Sequence, residues 1–313
     1  MRTTDINIPK YYYYVKPLIP RRLQIQLRRW SAARKRRLCS DIWPIDRQAG
    51  KSPDGWAGWP DNKRFALVLT HDVDTFKGHE QCRRLMRLEE EMGFKSSYNF
   101  VIAEYDVCRD LRRYLAEHGF EVGIHGLVHN RKMYESKTTF LKHAAQINHY
   151  LREWKAVGFR SPCMYHNLEW LSELDVTYDA STFDTDPFEP QPDGVGTIFP
   201  FYVRGSRGQA GYTELPYTLP QDFSLFILFR ERDITIWKEK LDWIAESGGM
   251  VLLNTHPDYM SFGNGKKGYE EYPAQLYQEF LTYVRERYEG TYWHALPREM
   301  ANFWGLHQQQ TGV

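Results

Sequence analysis

Two aspartates one residue apart, Asp72 and Asp74, stand where the apolar run "FALVL" gives way to "THDVDTF". Carboxylates at the end of a buried strand can hold a divalent cation, and a second carboxylate beside that cation can take a proton from water. The two need not share a role, and a cation between them relieves the repulsion that would otherwise protonate one. The plainer reading is an Asp-rich turn, with Asp74 or Thr75 as N-cap of the next helix. Histidines follow in "EVGIHGLVHN", where His125 and His129 lie four apart and Gly126 follows the first. Two histidines and one carboxylate make an open metal site that leaves room for water and substrate. "GFRSP" supplies Arg160, a permanent cation suited to orient a carboxylate bidentately. "VLLNTHPDY" puts His256 at the end of an apolar strand, placed as a general acid. "YDASTFDTD" offers Asp184 and Asp186 as partners that raise the pKa of such a histidine.

These residues share one kind of place. "FALVLTHD", "KSSYNFVI", "FEVGIH", "FRSP", "VTYDAST" and "MVLLNTHP" read as strands, separated by helical stretches that stop at Gly93, Gly119 and Gly158. Ser136 is a plausible cap of the third helix, and a last helical segment covers about 272–288. Strand–helix alternation predicts a parallel sheet, open or closed into a barrel, whose ligands gather at the C-terminal strand ends. Asp72, Asp74, His125, Arg160 and His256 all fall at or just past such ends. "TELPYTLP" reads as one more strand, with Glu214 in a structural hydrogen-bonding role.

Composition sets the frame. With 42% hydrophobic and 26% charged residues, the 313-residue chain reads as globular, and no apolar run is long enough to span a bilayer. The 15% aromatic content suits stacking on sugars as well as core packing. The N-terminus lacks the apolar stretch of a secretory signal, and Cys39, Cys82, Cys108 and Cys163 show no CxxC spacing. The expectation is a cytoplasmic protein with reduced thiols. Charge is uneven: residues 1–38 hold eleven Lys and Arg against one acid, a net +10 against −9 for the rest. In "RRLQIQLRRWSAARKRRL", Leu23, Leu27, Trp30 and Leu38 recur at roughly helical spacing with arginines on the other faces. That pattern is either a helix packed on the main domain with a solvated basic face, or a basic amphipathic helix meeting anionic headgroups at the inner face of a membrane. Nucleic acid is not the expected partner, because no recognition module accompanies the charge.

The ordered set THDVD, HGLVH, FRSP, YDASTFDTD and NTHP resembles the NodB-homology polysaccharide deacetylases, carbohydrate esterase family 4, over roughly residues 64–260. The resemblance implies a distorted (β/α) barrel with fewer than eight units, here preceded by a basic N-terminal extension. It implies a divalent metal, usually zinc, and removal of an N-acetyl group from an amino sugar, in a subgroup serving surface-polysaccharide biosynthesis. Carried onto this chain, Asp72 is the base, Asp74, His125 and His129 the metal ligands, Arg160 the residue orienting the base, and His256 the acid. The family has adjacent aspartates where Val73 here intervenes. The aspartate that tunes the acid maps to Asp184, with Asp179 and Asp186 as alternatives. The backbone N–H of Cys163 is the implied oxyanion donor, and Tyr165, His166 and Asn167 follow as contacts to sugar hydroxyls; Asn167 also fits the start of the helix "LEWLSEL". His71 replaces an aromatic residue and either faces the site or fills space. The domain expectation is an extension and linker over 1–63, packed on the barrel, a barrel over 64–300 and a tail over 301–313. Two other readings remain: a same-fold C–N hydrolase opening a small cyclic amide, and a barrel that binds carbohydrate without activity. The oligomeric state is open.

Overall fold

The computed structural model describes residues 19–205, 210–263 and 268–311, with side chains to residue 306. The tyrosine run at 11–14 and the first half of the basic extension lie outside the described residues. Strand β1 (Phe65–Val73) is the axis of the fold: nine residues, all buried. Along one edge it pairs in parallel with β8 (Met250–Thr255), from Ala66↔Met250 to His71↔Thr255. Along the other it meets β2 (Ser97–Phe100) at its C-terminal end and β11 (Tyr292–His294) at its N-terminal end. The sheet continues through β3 (Glu121–Ile124), β4 (Gly158–Phe159), β5 (Tyr178–Asp179) and β7 (Tyr212–Glu214), all parallel. Only β6 (Phe201–Val203) runs antiparallel, on the outer edge of β7. Past β7 the chain bridges toward β8: Tyr217 N–H donates to the Thr182 carbonyl, and Thr218 N–H to that of Leu252, each at 3.0 Å. The sheet therefore curls into a distorted barrel, one of the two forms the alternation leaves open and the one the resemblance implies.

Helices cover its outside: α1 (Arg21–Leu38), α2 (Phe76–Met92), α3 (Arg109–Glu117), α4 (Lys137–Trp154), the single turn α5 (Leu168–Leu171), α6 (Thr235–Ser247), α7 (Ala274–Tyr288) and α8 (Pro297–Thr311). A short ladder of β9 (Met260–Ser261) and β10 (Tyr272–Pro273) lies off the sheet. Among the described residues no helix is long and apolar enough to cross a membrane. Ser136 caps α4 as expected, its hydroxyl accepting from Thr139 N–H at 3.1 Å. The helix stops at Lys155, left-handed at φ 54°, and not at Gly158. Gly158 has a different duty: on β4 an added Cβ would lie 1.9 Å from Cζ of Tyr178. Gly158→Ala should lower stability by about 1–3 kcal/mol, the cost of overpacking a closed interior, as read by chemical denaturation.

The linker is packed, not loose. Trp43, Ala49 and Trp59 are buried, and Trp59 donates its indole N–H to the Gly248 carbonyl at 2.8 Å. At the other end, residues 301 onward continue α8, which buries Met300, Ala301 and Trp304, so the expected boundary at 300 cuts a helix. Apolar residues on this helix face the sheet; the tail reading missed them because Gly305 and the Gln run dilute the periodicity.

Candidate metal and hydrolytic centre

Strand alternation places the acidic pair. Successive side chains of a strand point to opposite faces, so Thr70, Asp72 and Asp74 share one face and His71 and Val73 the other. Val73 is fully buried in the core. His71 is fully buried too, hydrogen-bonded to the Thr255 hydroxyl and to Glu89 of α2, each at 2.8 Å. It fills space on the far side of the sheet. An intervening residue between the aspartates is thus what sends both carboxylates to the same side.

Asp72 sits opposite Asn99 in the β1–β2 register and accepts its amide N–H at 3.0 Å. Asn254 of β8 donates to the other oxygen at 2.8 Å, while its own carbonyl accepts from Arg160 Nη1 at 2.6 Å. Arg160, wholly buried past β4, also donates to Thr70 Oγ1 and the Ala180 carbonyl, each at 2.7 Å. It meets Asp72 through Nη1 alone, at 3.3 Å, so the expected bidentate fork is not formed. Two asparagine amides do the gripping. Burial works against ionising Asp72, but the charges of His125, Arg160 and His256 and the Asn99 bond outweigh it and bring the carboxyl down to about 2.

Asp74 lies just beyond β1. Its backbone N–H and those of Thr75 are taken by Asp258, at 3.0 Å to Oδ2 and 2.9 Å to Oδ1. Thr75 occupies the N-cap position of α2 without making a side-chain cap, so the turn is shaped from a distance by Asp258, not by its own residues. The Asp74 side chain is left for other work. His125 Nε2 lies 3.4 Å and His129 Nε2 3.3 Å from its Oδ1, and one ligand atom from each of the three falls within 4.8 Å of the others. Gly126, at φ 74°, turns the chain between the imidazoles against Pro162, where a Cβ would come within 2.7 Å. His125 Nδ1 faces the Arg160 carbonyl at 3.0 Å. A carbonyl only accepts, so Nδ1 keeps its proton in either charge state, and Nε2 is the nitrogen that would give up its proton to a cation. Burial opposes charging His129, but the Asp74 carboxylate and the Cys163 thiol raise it to about 9.

A divalent metal fits this set. Asp74 Oδ1 is buried and accepts no hydrogen bond among the described residues, although two imidazole nitrogens surround it. An orphaned carboxylate oxygen between two such nitrogens is costly unless a cation completes it. The His129 side chain, 27% exposed against 2% for His125, marks the open side.

His256, just past β8, donates from Nδ1 to Asp222 Oδ1 at 2.7 Å and from its backbone N–H to Oδ2 at 2.8 Å. Tyr272 donates its hydroxyl to the same Oδ2 at 2.9 Å. Burial disfavours the imidazolium, yet Asp222 first, then Asp74 and Asp72, lift His256 to about 10. This corrects the expected partner. Asp184 faces α6 instead, 2.7 Å from buried Lys240, and burial holds it up at about 6. Asp179 is bonded to Ser181, and Asp186 to Phe188 N–H and the Tyr217 hydroxyl. None of these three bonds His256. "PQDF" carries no spacing relation to "NTHP", so the sequence does not single out Asp222; its one signal is that it lies two residues past the "TELPYTLP" stretch that bridges to β8. Glu214, as expected, is structural and accepts from Thr182.

After Arg160, Cys163 and Met164 both adopt left-handed backbone at φ 55°. Two consecutive non-glycine residues there store strain of a kind that clusters at functional turns. Cys163 Sγ lies 3.9 Å from His129 Nε2, which brings this turn to the metal ligands. Tyr165 is half-buried on it. His166 bonds the Met164 carbonyl and Gln191, and Asn167 caps α5 through Trp170 N–H at 3.0 Å, the second of its two expected roles.

No protein-family model matches the sequence, and no curated protein matches it. Solved structures do. A protein described as a polysaccharide deacetylase from Mycobacterium smegmatis superposes with a TM-score of 0.62 at 20% identity, covering 82% of this chain and 96% of that one. Another so described, from Pseudomonas aeruginosa PAO1, gives 0.63 at 15% identity over 84% and 98%. PuuE allantoinase gives 0.63 at 15% identity over 84% and 97%. At these identities the likeness defines the fold: this chain has the distorted (β/α) barrel of the NodB-type polysaccharide deacetylases.

Proposed function

We propose that the chain is a metal-dependent hydrolase that removes an N-acetyl group from an amino sugar of a polysaccharide or its precursor. The observation that carries this is the buried, unbonded Asp74 Oδ1 between His125 and His129, with the ionised Asp72 beside it. Asp74, His125 and His129 would hold the cation, and the mixed N and O donors suit zinc. When bound, the cation supplies Lewis acidity to an acyl carbonyl and to water. Asp72, kept ionised and aimed by Asn99, Asn254 and Arg160, takes the proton of the attacking water. The backbone N–H of Cys163 stabilises the oxyanion. His256 protonates the departing amine, which leaves poorly as an anion. Tyr165 lines the sugar side, and Phe76, 55% exposed one residue past Thr75, adds a flat ring for stacking. Four free cysteines, two of them buried, support a reducing, cytoplasmic setting.

The test is acetate release from N-acetylglucosamine oligomers by zinc-loaded protein. Hydrolysis of a cyclic ureide alone would move the assignment to ring opening, and inertness toward both with zinc bound would leave a binding barrel. Within this scheme Asp222→Asn keeps an acceptor for His256 but removes the charge that raises its pKa. An acid works only while protonated, so activity is lost above that pKa. The alkaline limb of the pH–rate profile should therefore move to lower pH, by about 1–3 units.

A further inference from the structure

Helix α1 turns its apolar stripe outward. Leu23, Leu27 and Trp30 recur at i, i+4 and i+7, with Leu38 two turns on, and are 50%, 46%, 68% and 59% exposed. Nine large apolar side chains are exposed among the described residues, and four of them lie on this one helix. The opposite side does the packing. Ile25 and Ala32 are buried, Arg21 pairs with Glu270 at 2.6 Å, and Arg36 with Glu231 at 2.5 Å. Arg29 donates to the Ile227 carbonyl and to the Tyr269 hydroxyl, each at 2.8 Å. Cations thus anchor the helix while its leucines and indole face away, the reverse of the arrangement in which the apolar stripe seats on the barrel. Arg34 falls on the outward stripe and Arg37 beside it; both are exposed and form no ion pair with any described residue.

We propose that this face of α1 docks on the surface of an anionic lipid bilayer. Exposed apolar side chains gathered in one stripe mark an interaction surface, and interspersed arginines match anionic headgroups. Helix α1 alone carries eight Lys and Arg and no acid, so its surroundings attract anions. A second copy is the poorer occupant, since each copy would bring the unpaired Arg34 and Arg37 to the contact while α1 carries no acid to meet them. The helix also stands beside the barrel mouth. Arg28 lies 4.6 Å over the Phe223 ring, Phe223 packs 5.1 Å from Tyr259, and Tyr259 packs 5.2 Å from His256. Docking would hold the candidate centre close to the lipid surface, and the proposal stands whether or not that centre hydrolyses amides.

Flotation of the full chain with phosphatidylcholine vesicles, with and without phosphatidylglycerol, tests it. Binding is expected on the anionic vesicles, with little on phosphatidylcholine alone. The combined change Leu23→Ser, Leu27→Ser and Trp30→Ser should weaken it at least about tenfold. Arg34→Glu with Arg37→Glu should weaken it and reduce its dependence on salt. All five side chains are exposed, so the melting temperature should hold and show that the fold is intact. The proposal is overturned if neither vesicle binds, or if both variant sets bind as well as the parent. It is equally overturned if light scattering finds a dimer that the serine variant splits, which would give the face to a second copy.

Discussion

Asp72→Asn is expected to cut turnover on an N-acetyl sugar by about 10²–10⁴-fold, the range for loss of a positioned general base. The amide cannot take the proton, and it cannot settle into the old contacts either. Asn99, Asn254 and Arg160 all donate toward Asp72, so the new NH₂ meets a donor whichever way it turns. Buried Arg160 also loses its carboxylate and keeps only the oxygens of Thr70, Ala180 and Asn254. A stability loss of about 3 kcal/mol follows, at the low end for an unpaired buried charge because those neutral acceptors remain. Zinc content should be unchanged, since Asp74, His125 and His129 are untouched. Turnover, denaturation and metal analysis on one preparation separate these effects, and normal turnover in a folded, zinc-loaded variant would remove Asp72 from the mechanism.

His125→Ala should strip the metal and with it all measurable hydrolysis. This ring is held by the Arg160 carbonyl at Nδ1 and presents Nε2 to Asp74, so no other described histidine can take its place without moving. Loss of one of three protein ligands leaves Asp74 and His129 alone, too few for a stable zinc site. Metal analysis after dialysis should find the variant empty where the parent retains zinc. A chelator should produce the same inactive state in the parent, and restored zinc should reverse it there but not in the variant. Retention of metal by His125→Ala would point to a different ligand set.

The site's raw materials were legible because they follow local rules. Two-residue spacing in a strand puts Asp72 and Asp74 on one face, and that rule turns the apparent irregularity at Val73 into the reason the pair works together. Gly126 between the histidines takes a positive φ, a conformation open to glycine without steric cost. Local rules failed where an alternative partner lay far along the chain. Glycine commonly ends helices, which points to Gly158 as the stop of α4, but crowding by Tyr178 on the neighbouring strand is what requires glycine there. Its place in a motif points to Asp184 as the partner of His256, yet the neighbour of Asp184 in space is Lys240.

Alternation and turn chemistry act over a few neighbours, so the kind of residue at each strand end can be read locally. Which side chains meet depends on the folded chain. Asn254 reaches Asp72 across 182 residues of chain, Asp258 reaches Asp74 across 184, and Asp222 reaches His256 across 34. Those pairings depend on the register of β1 with β8 and on the bridge that curls the sheet, which no local pattern encodes. The same holds for α1: its periodicity announces a stripe, but only packing against Glu231, Glu270 and the Ile227 carbonyl shows that the arginines hold the barrel and the leucines face outward.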